Sequence, residues 1–148
     1  VQRYVEIGKA EGARLVSGGQ RVQLPGFDHG CYFEPTIFAD VSNSMRIARE
    51  EIFGPVISAL PFDTLDEVIV RANDSAYGLG SGVWSRNVNT IHKVAQGLRT
   101  GTVWANCYQV MDPAIPFGGY KMSGFGRESG VEHMHEYLQT KAVILKLD

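Results

Sequence analysis

Glu50-Glu51-Ile52-Phe53-Gly54-Pro55-Val56 is the stretch from which the chain is best read. Two carboxylates stand directly before an Ile-Phe pair, a Gly-Pro break and an apolar run that reads as a buried strand. A plain turn is served by Asp, Ser or Gly, each of which supplies turn geometry or a local hydrogen bond. An acidic pair beside an aromatic ring at the mouth of a strand is a different composition. Taken alone it has two readings, a solvated surface pair or a functional site, because charged residues ordinarily stay in water.

The chain has 148 residues, which suits one domain or part of a larger protein. It is 44% hydrophobic and 20% charged with a net charge of -2, an ordinary globular balance. That balance offers no basic surface for nucleic acid or anionic membrane. Two cysteines, Cys31 and Cys107, are too few for a disulfide framework, so a reducing, cytoplasmic setting is expected. No stretch reaches the roughly 20 apolar residues of a membrane span. The chain opens on Val1 without a signal-like pattern and already inside an amphipathic one, which suggests a piece of a longer protein.

Downstream of the opening stretch the sequence alternates regularly. Val56 to Phe62 is strand-like. Thr64-Leu65-Asp66-Glu67 has capping-box spacing and leads into a helix with Leu65, Val68, Ile69 and Ala72 on one face. Ser81 to Ser85 reads as a strand, Asn89 to Leu98 as a helix stopped by Gly101, and Thr102 to Asn106 as a third strand. Short connections between such elements imply parallel pairing with right-handed crossovers, a βαβαβ part of an α/β sheet.

Upstream, Val1 to about Glu11 is helical with a stop at Gly12, and Arg14 to Ser17 is a short strand. Gln20 to Gly30, with Pro25, Gly26 and Asp28, is a loop. Cys31 to Val41 is strand-like with a bend at Pro35. Ser42-Asn43-Ser44 offers caps to a short turn over Met45 to Glu50.

Cys107 to Gly130 is a long glycine- and proline-punctuated segment, of the length usually given to function or to crossing another unit. Val131 to Leu138 follows as a short helix. Lys141 to Leu147 is an apolar terminal strand that needs something to pair with.

Several motif-like arrangements carry little. Gly124, Gly126 and Gly130 are spaced one residue too long for a dinucleotide fingerprint and follow no apolar strand, so they read as turn glycines. His133 and His135 lie two apart on a helix and do not share a face. No Cys/His spacing fits zinc, and no metal is expected. Of the two thiols, Cys107 is the better nucleophile candidate on position, since it leaves a strand into a loop.

Five stretches in order resemble the NAD(P)-dependent aldehyde dehydrogenase superfamily. Tyr32-Phe33-Glu34-Pro35-Thr36 is similar to its "EPT" strand and Glu50 to Val56 to its cofactor motif. Ala72 to Leu79 is similar to its "ANxxxYGL" turn. Gly101 to Asn106 and Pro116 to Gly124 are similar to its late motifs. The resemblance implies a C-terminal portion of such an enzyme. Residues 1–118 would belong to the catalytic domain, 119–139 to a glycine-rich bridging segment with a short helix, and 140–148 to an oligomerisation strand of a homodimer or homotetramer.

It further implies chemistry in which a cysteine thiolate attacks an aldehyde, hydride passes to NAD or NADP, and a glutamate-activated water releases the acid. The nucleophile, the base and the residues that distinguish NAD from NADP would lie upstream, in a missing N-terminal part. No catalytic residue carries over, Cys107 does not match the nucleophile's motif, and this chain alone should be inactive. What carries over is Glu51, as acceptor for the nicotinamide-ribose hydroxyls, Phe53 beside the nicotinamide, and Phe117 and Met111 in the aldehyde tunnel. Phe117 favours an uncharged aldehyde, and Met111 makes the tunnel deformable. The alternative is a non-catalytic assembly module that pairs through its terminal strand.

Overall fold

The computed structural model describes residues 1–27 and 29–147. Asp28, part of the loop reading over 20–30, lies outside the described residues. The chain divides into two units, Val1–Asp74 and one that begins at Ser75.

The first unit opens with helix α1 (Gln2–Ala10), which ends as Gly12 adopts φ +92°. Strands β1 (Arg14–Ser17), β2 (Arg21–Val22), β3 (Tyr32–Phe33) and β4 (Thr36–Ala39) follow, then the one-turn helix α2 (Arg46–Arg49), strand β5 (Val56–Ser58) and helix α3 (Leu65–Asn73). β4 is the middle of a three-stranded sheet, antiparallel to β1 and parallel to β5. Val5 of α1, Phe38 of β4, Val41 and Ile47 of α2 form the core.

Several expectations are corrected here. The segment 31–41 is two strands rather than one. Pro35 has no amide to extend the ladder, so β3 pairs with β2 and β4 with β1 and β5. β2 lies inside the region read as loop. The strand at 56–62 stops at Ser58, and its Ile57 is 61% exposed rather than buried. α2 takes no cap from 42–44, where Ser42 Oγ is used within its own turn by the Ser44 amide. Instead Glu11, just past α1, accepts the amide of Arg46 at 2.8 Å. The cap of α3 is as expected at Thr64, which accepts the Glu67 amide. Glu67 reaches back one residue further than a capping box requires, to the Asp63 amide at 2.9 Å.

The second unit holds β6 (Tyr77–Gly78), β7 (Gly80–Val83), α4 (Val88–Gly97), β8 (Thr102–Ala105), β9 (Tyr120–Lys121) and α5 (Gly130–His135). β7 and β8 pair in parallel across α4, so this half of the expected alternation forms one βαβ crossover. The parallel partner of β5 is β4. β9 returns antiparallel to β6, and Phe117 bridges Glu128.

α4 is capped by Asn87 and stops at Gly97, four residues before Gly101. Gly101 serves close packing instead: a Cβ there would run into the Gly118 carbonyl. Gly124, Gly126 and Gly130 all have positive φ, as turn glycines should. The expected terminal strand is not formed within the chain. Residues 139–147 carry no regular structure, and Val143, Ile144, Leu145 and Leu147 are exposed.

Candidate functional site

The opening motif separates its two carboxylates. α2 ends at Arg49, and Glu50 leaves it in extended conformation, φ -102° and ψ 146°. Successive residues of extended backbone face opposite ways. Glu50 turns towards the unit. Tyr4 Oη donates to its Oε2 at 2.9 Å, Arg46 Nε donates to Oε1 at 2.7 Å and Arg46 Nη2 donates to Oε2 at 2.9 Å. The Arg46 guanidinium, followed by the Tyr4 hydroxyl, holds the Glu50 carboxyl below the usual carboxylate range. The same hydrogen bond raises the Tyr4 hydroxyl, since ionising it would set two anions together.

Glu51 is exposed and makes no hydrogen bond or ion pair with the described residues. Ile52 then packs against the core. Phe53 is 89% exposed, and its φ is +52°. A bulky residue in the left-handed region is disfavoured, and a ring held in water gains nothing by burial. The first unit therefore spends conformational strain to present an aromatic face it does not itself use, the pattern associated with ligand sites.

An ionised carboxylate only accepts hydrogen bonds, and so suits a ligand diol. A free carboxylate and an open ring two residues apart fit a ribose bearing a planar heterocycle. Glu51 and Phe53 both stand exposed on the arc between Glu50 and Pro55.

In the second unit the structure brings Met111 and Phe117 together. Both line a cavity of about 270 Å³ between β8 and the segment after it, with Val103, Ala105, Val110 and Ile115 among its walls. Both also line an adjoining cavity of about 450 Å³ with Trp104 and Tyr108. Phe117 is fixed by reciprocal backbone hydrogen bonds with Glu128, each 2.7 Å. Trp104 Nε1 donates to the Val110 carbonyl at 2.8 Å, which ties β8 to the segment carrying Met111. The acid at the rim, Asp112, is partly committed, since its Oδ1 accepts the Ala114 amide at 2.8 Å. The space is therefore largely apolar.

Cys107 is half-buried in the wall of the smaller cavity, while Cys31 is exposed and lies in the other unit. Among the described residues, no three or more His, Cys, Asp or Glu side chains gather as a metal site would require.

Tyr4, Arg46 and Trp104 escaped the reading of the sequence as contributors to these sites. Tyr4 lies 46 positions from Glu50, and no local pattern announces that contact. Arg46 and Glu50 are at i, i+4 spacing on a short helix, a signal that was available.

The first unit thus carries a strained acidic-aromatic arc, and the second a parallel β7–α4–β8 crossover with an apolar cavity after β8, an α/β architecture. The chain belongs to the aldehyde dehydrogenase family, which it matches over residues 1–143. It is 50% identical over 147 residues to the mitochondrial benzaldehyde dehydrogenase of Antirrhinum majus, covering 99% of this chain and 27% of that protein. It is equally identical over 147 residues to the betaine aldehyde dehydrogenase of Brucella melitensis, covering 99% of this chain and 30% of that protein. The crystal structure of Mycobacterium tuberculosis aldehyde dehydrogenase, complexed with NAD+, superposes with a TM-score of 0.91 at 50% identity. That match covers 98% of this chain and 29% of the other. The chain thus spans less than a third of the length of these relatives.

Proposed function

We propose that the whole protein oxidises an aldehyde to a carboxylic acid with NAD or NADP, and that this chain supplies part of the cofactor site and part of the aldehyde tunnel. The observation that carries the reading is the division of labour at 50–53. Glu50 is saturated by Tyr4 and Arg46, while Glu51 and Phe53 are presented to solvent.

Glu51 would accept the two hydroxyl protons of the nicotinamide ribose, and Phe53 would lie beside the ring. The nicotinamide, when bound, supplies a hydride acceptor. Glu51 and Phe53 orient it, a contribution of the kind that converts binding into correct alignment. Met111 and Phe117 would enclose the aldehyde's substituent and exclude water around it. The apolar walls favour an uncharged aliphatic or aromatic aldehyde. Relatives named for benzaldehyde and for betaine aldehyde are equally similar, so the lining residues carry this preference rather than overall identity.

The thiolate, the base and the main phosphate contacts belong to an N-terminal part beyond this chain. On this reading residues 1–118 are catalytic domain and 119–139 a bridging segment. The exposed apolar run within 140–148 joins subunits into a homodimer or homotetramer, because Val143 and Ile144 are 81% and 94% exposed and a partner strand would cover them. Two free thiols, Cys31 and Cys107, are in keeping with a cytoplasmic location.

The test is NADH or NADPH formation from a panel of aldehydes by the full-length protein and by the 148-residue chain. Turnover of benzaldehyde-like or aliphatic substrates by the former alone is expected. Aldehyde-dependent turnover by the short chain, abolished by Cys107→Ala, would overturn the placement of the nucleophile. The second reading, a non-catalytic assembly module, rests on the same exposed run. It requires the mature protein to have the 16.3 kDa mass of this chain, which intact mass measurement decides.

A further inference from the structure

We infer that Tyr4 and Arg46 are positioning residues for the cofactor, acting through Glu50, in addition to Glu51 and Phe53 as direct contacts. The inference rests on the reading of Glu51 and Phe53 as cofactor-binding groups.

The arc from Glu51 to Gly54 hangs between two fixed posts. On one side Glu50 is held by three hydrogen bonds from two different helices, Tyr4 of α1 and Arg46 of α2. Tyr4 itself packs on the core, so its hydroxyl has little freedom. On the other side the Pro55 carbonyl accepts the Thr36 amide at 2.8 Å. Thr36 is 1% exposed, and its hydroxyl both accepts the Gly19 amide at 2.9 Å and donates to the Glu34 carbonyl at 2.8 Å. Between the posts, Ile52 alone reaches the core.

An unrestrained chain would relax Phe53 out of its positive φ, because the ring makes no burial to hold it there. The strain persists only where the surroundings over-determine the backbone, and the Tyr4–Glu50–Arg46 clamp is the surrounding structure on the Glu51 side. Releasing it should let Glu51 swing, without removing any group that touches the cofactor. A fork of two parallel N–H groups specifies direction as well as attraction, so Lys at position 46 should not replace Arg.

The experiment uses the full-length protein with Tyr4→Phe, Arg46→Lys, Glu50→Gln and Glu51→Gln. Affinity for NAD+ or NADP+, whichever the wild type binds more tightly, is measured by calorimetry. The unfolding temperature of each variant is measured without ligand. Tyr4→Phe and Arg46→Lys should each weaken cofactor binding by about 3- to 10-fold, the range of one ordinary net hydrogen bond, because the loss reaches the cofactor only through Glu50 and Glu51. Tyr4→Phe should add little once Glu50→Gln is present, because both act on one contact.

A merely structural role predicts a lower unfolding temperature with unchanged cofactor affinity, and that result overturns the inference. Tyr4→Phe removes a single oxygen and keeps the packing ring, which guards against a variant that does not fold. Glu51→Gln separates the two levels. Normal affinity in that variant removes the cofactor reading and this inference with it. Weak binding there, with normal binding in the clamp variants, removes this inference alone.

Discussion

Trp104 Nε1 donates to the backbone carbonyl of Val110 at 2.8 Å, so the end of strand β8 holds the segment that carries Met111. The indole also meets Tyr108 edge-on, with centroids 5.0 Å apart. An indole donor cannot be replaced by an aromatic ring without one. Trp104→Phe should therefore free residues 108–111 while keeping β8 in place. A net hydrogen bond of about 1 kcal/mol corresponds to roughly 5-fold, so KM for the preferred aldehyde should rise by about that factor with kcat little changed. Steady-state kinetics on the full-length protein, with hydrogen exchange at 108–111, check this.

Glu51→Gln keeps the size of the side chain but replaces one acceptor oxygen with a donor. Glu51 is exposed and contacts no described residue, so folding should shift by less than about 0.5 kcal/mol. Hydride transfer should slow by about 10-fold or more, as expected when a positioning contact is lost. Single-turnover kinetics with a deuterated aldehyde measure the step directly. Unchanged turnover would count against the ribose role.

Gly101 is needed for space. Alanine there would drive its Cβ into the Gly118 carbonyl, and that peptide adjoins Phe117. Overpacking against backbone cannot be relieved by a rotamer change. Gly101→Ala should destabilise the protein by about 2–3 kcal/mol and raise the aldehyde KM. Denaturant unfolding and kinetics on the same sample would show both effects together.

Thr64→Ala removes the acceptor for the Glu67 amide at the start of α3. The expected loss is about 1 kcal/mol, with faster exchange confined to the first turn of that helix. A loss spread over the whole first unit would argue that α3 depends on more than its cap.

The Glu50 clamp carries a pH dependence whose sign is fixed. Its carboxyl is held below the ordinary 4.5, chiefly by Arg46 and then by Tyr4. A folded-state value below the unfolded one stabilises the native form at pH above the ordinary value. That contribution is lost as pH falls from about 4.5 through the lowered folded value. Unfolding free energy should fall over this window, and should fall less in Glu50→Gln, which has no carboxyl to protonate there. An identical acid profile in the two proteins would place the sensitivity elsewhere.

Local features were legible before any coordinates. The Thr64 cap, the stop at Gly12, the turn glycines 124, 126 and 130, and the strand–helix–strand at 80–105 all depend on neighbours within a few positions. Hydrophobic period and capping chemistry are properties of such short windows. The motifs also carried the family. The element that failed to form within the chain, 141–147, is one whose pairing cannot be satisfied locally.

By itself, then, the sequence determined the longer helices, the strand–helix–strand at 80–105, several of the turns, and that an acidic-aromatic arc and an apolar segment near Phe117 were worth attention. Only the tertiary structure decided which of two adjacent glutamates is engaged. Glu50 and Glu51 are the same residue type side by side, and what separates them is Arg46 one helical turn before Glu50 together with a hydroxyl arriving from Tyr4 on another helix. Tertiary packing likewise gave Met111 and Phe117 shared cavities and made Gly101 a contact residue rather than a helix stop. Those outcomes depend on distant backbone being brought within hydrogen-bond or van der Waals reach, which no local window of sequence records.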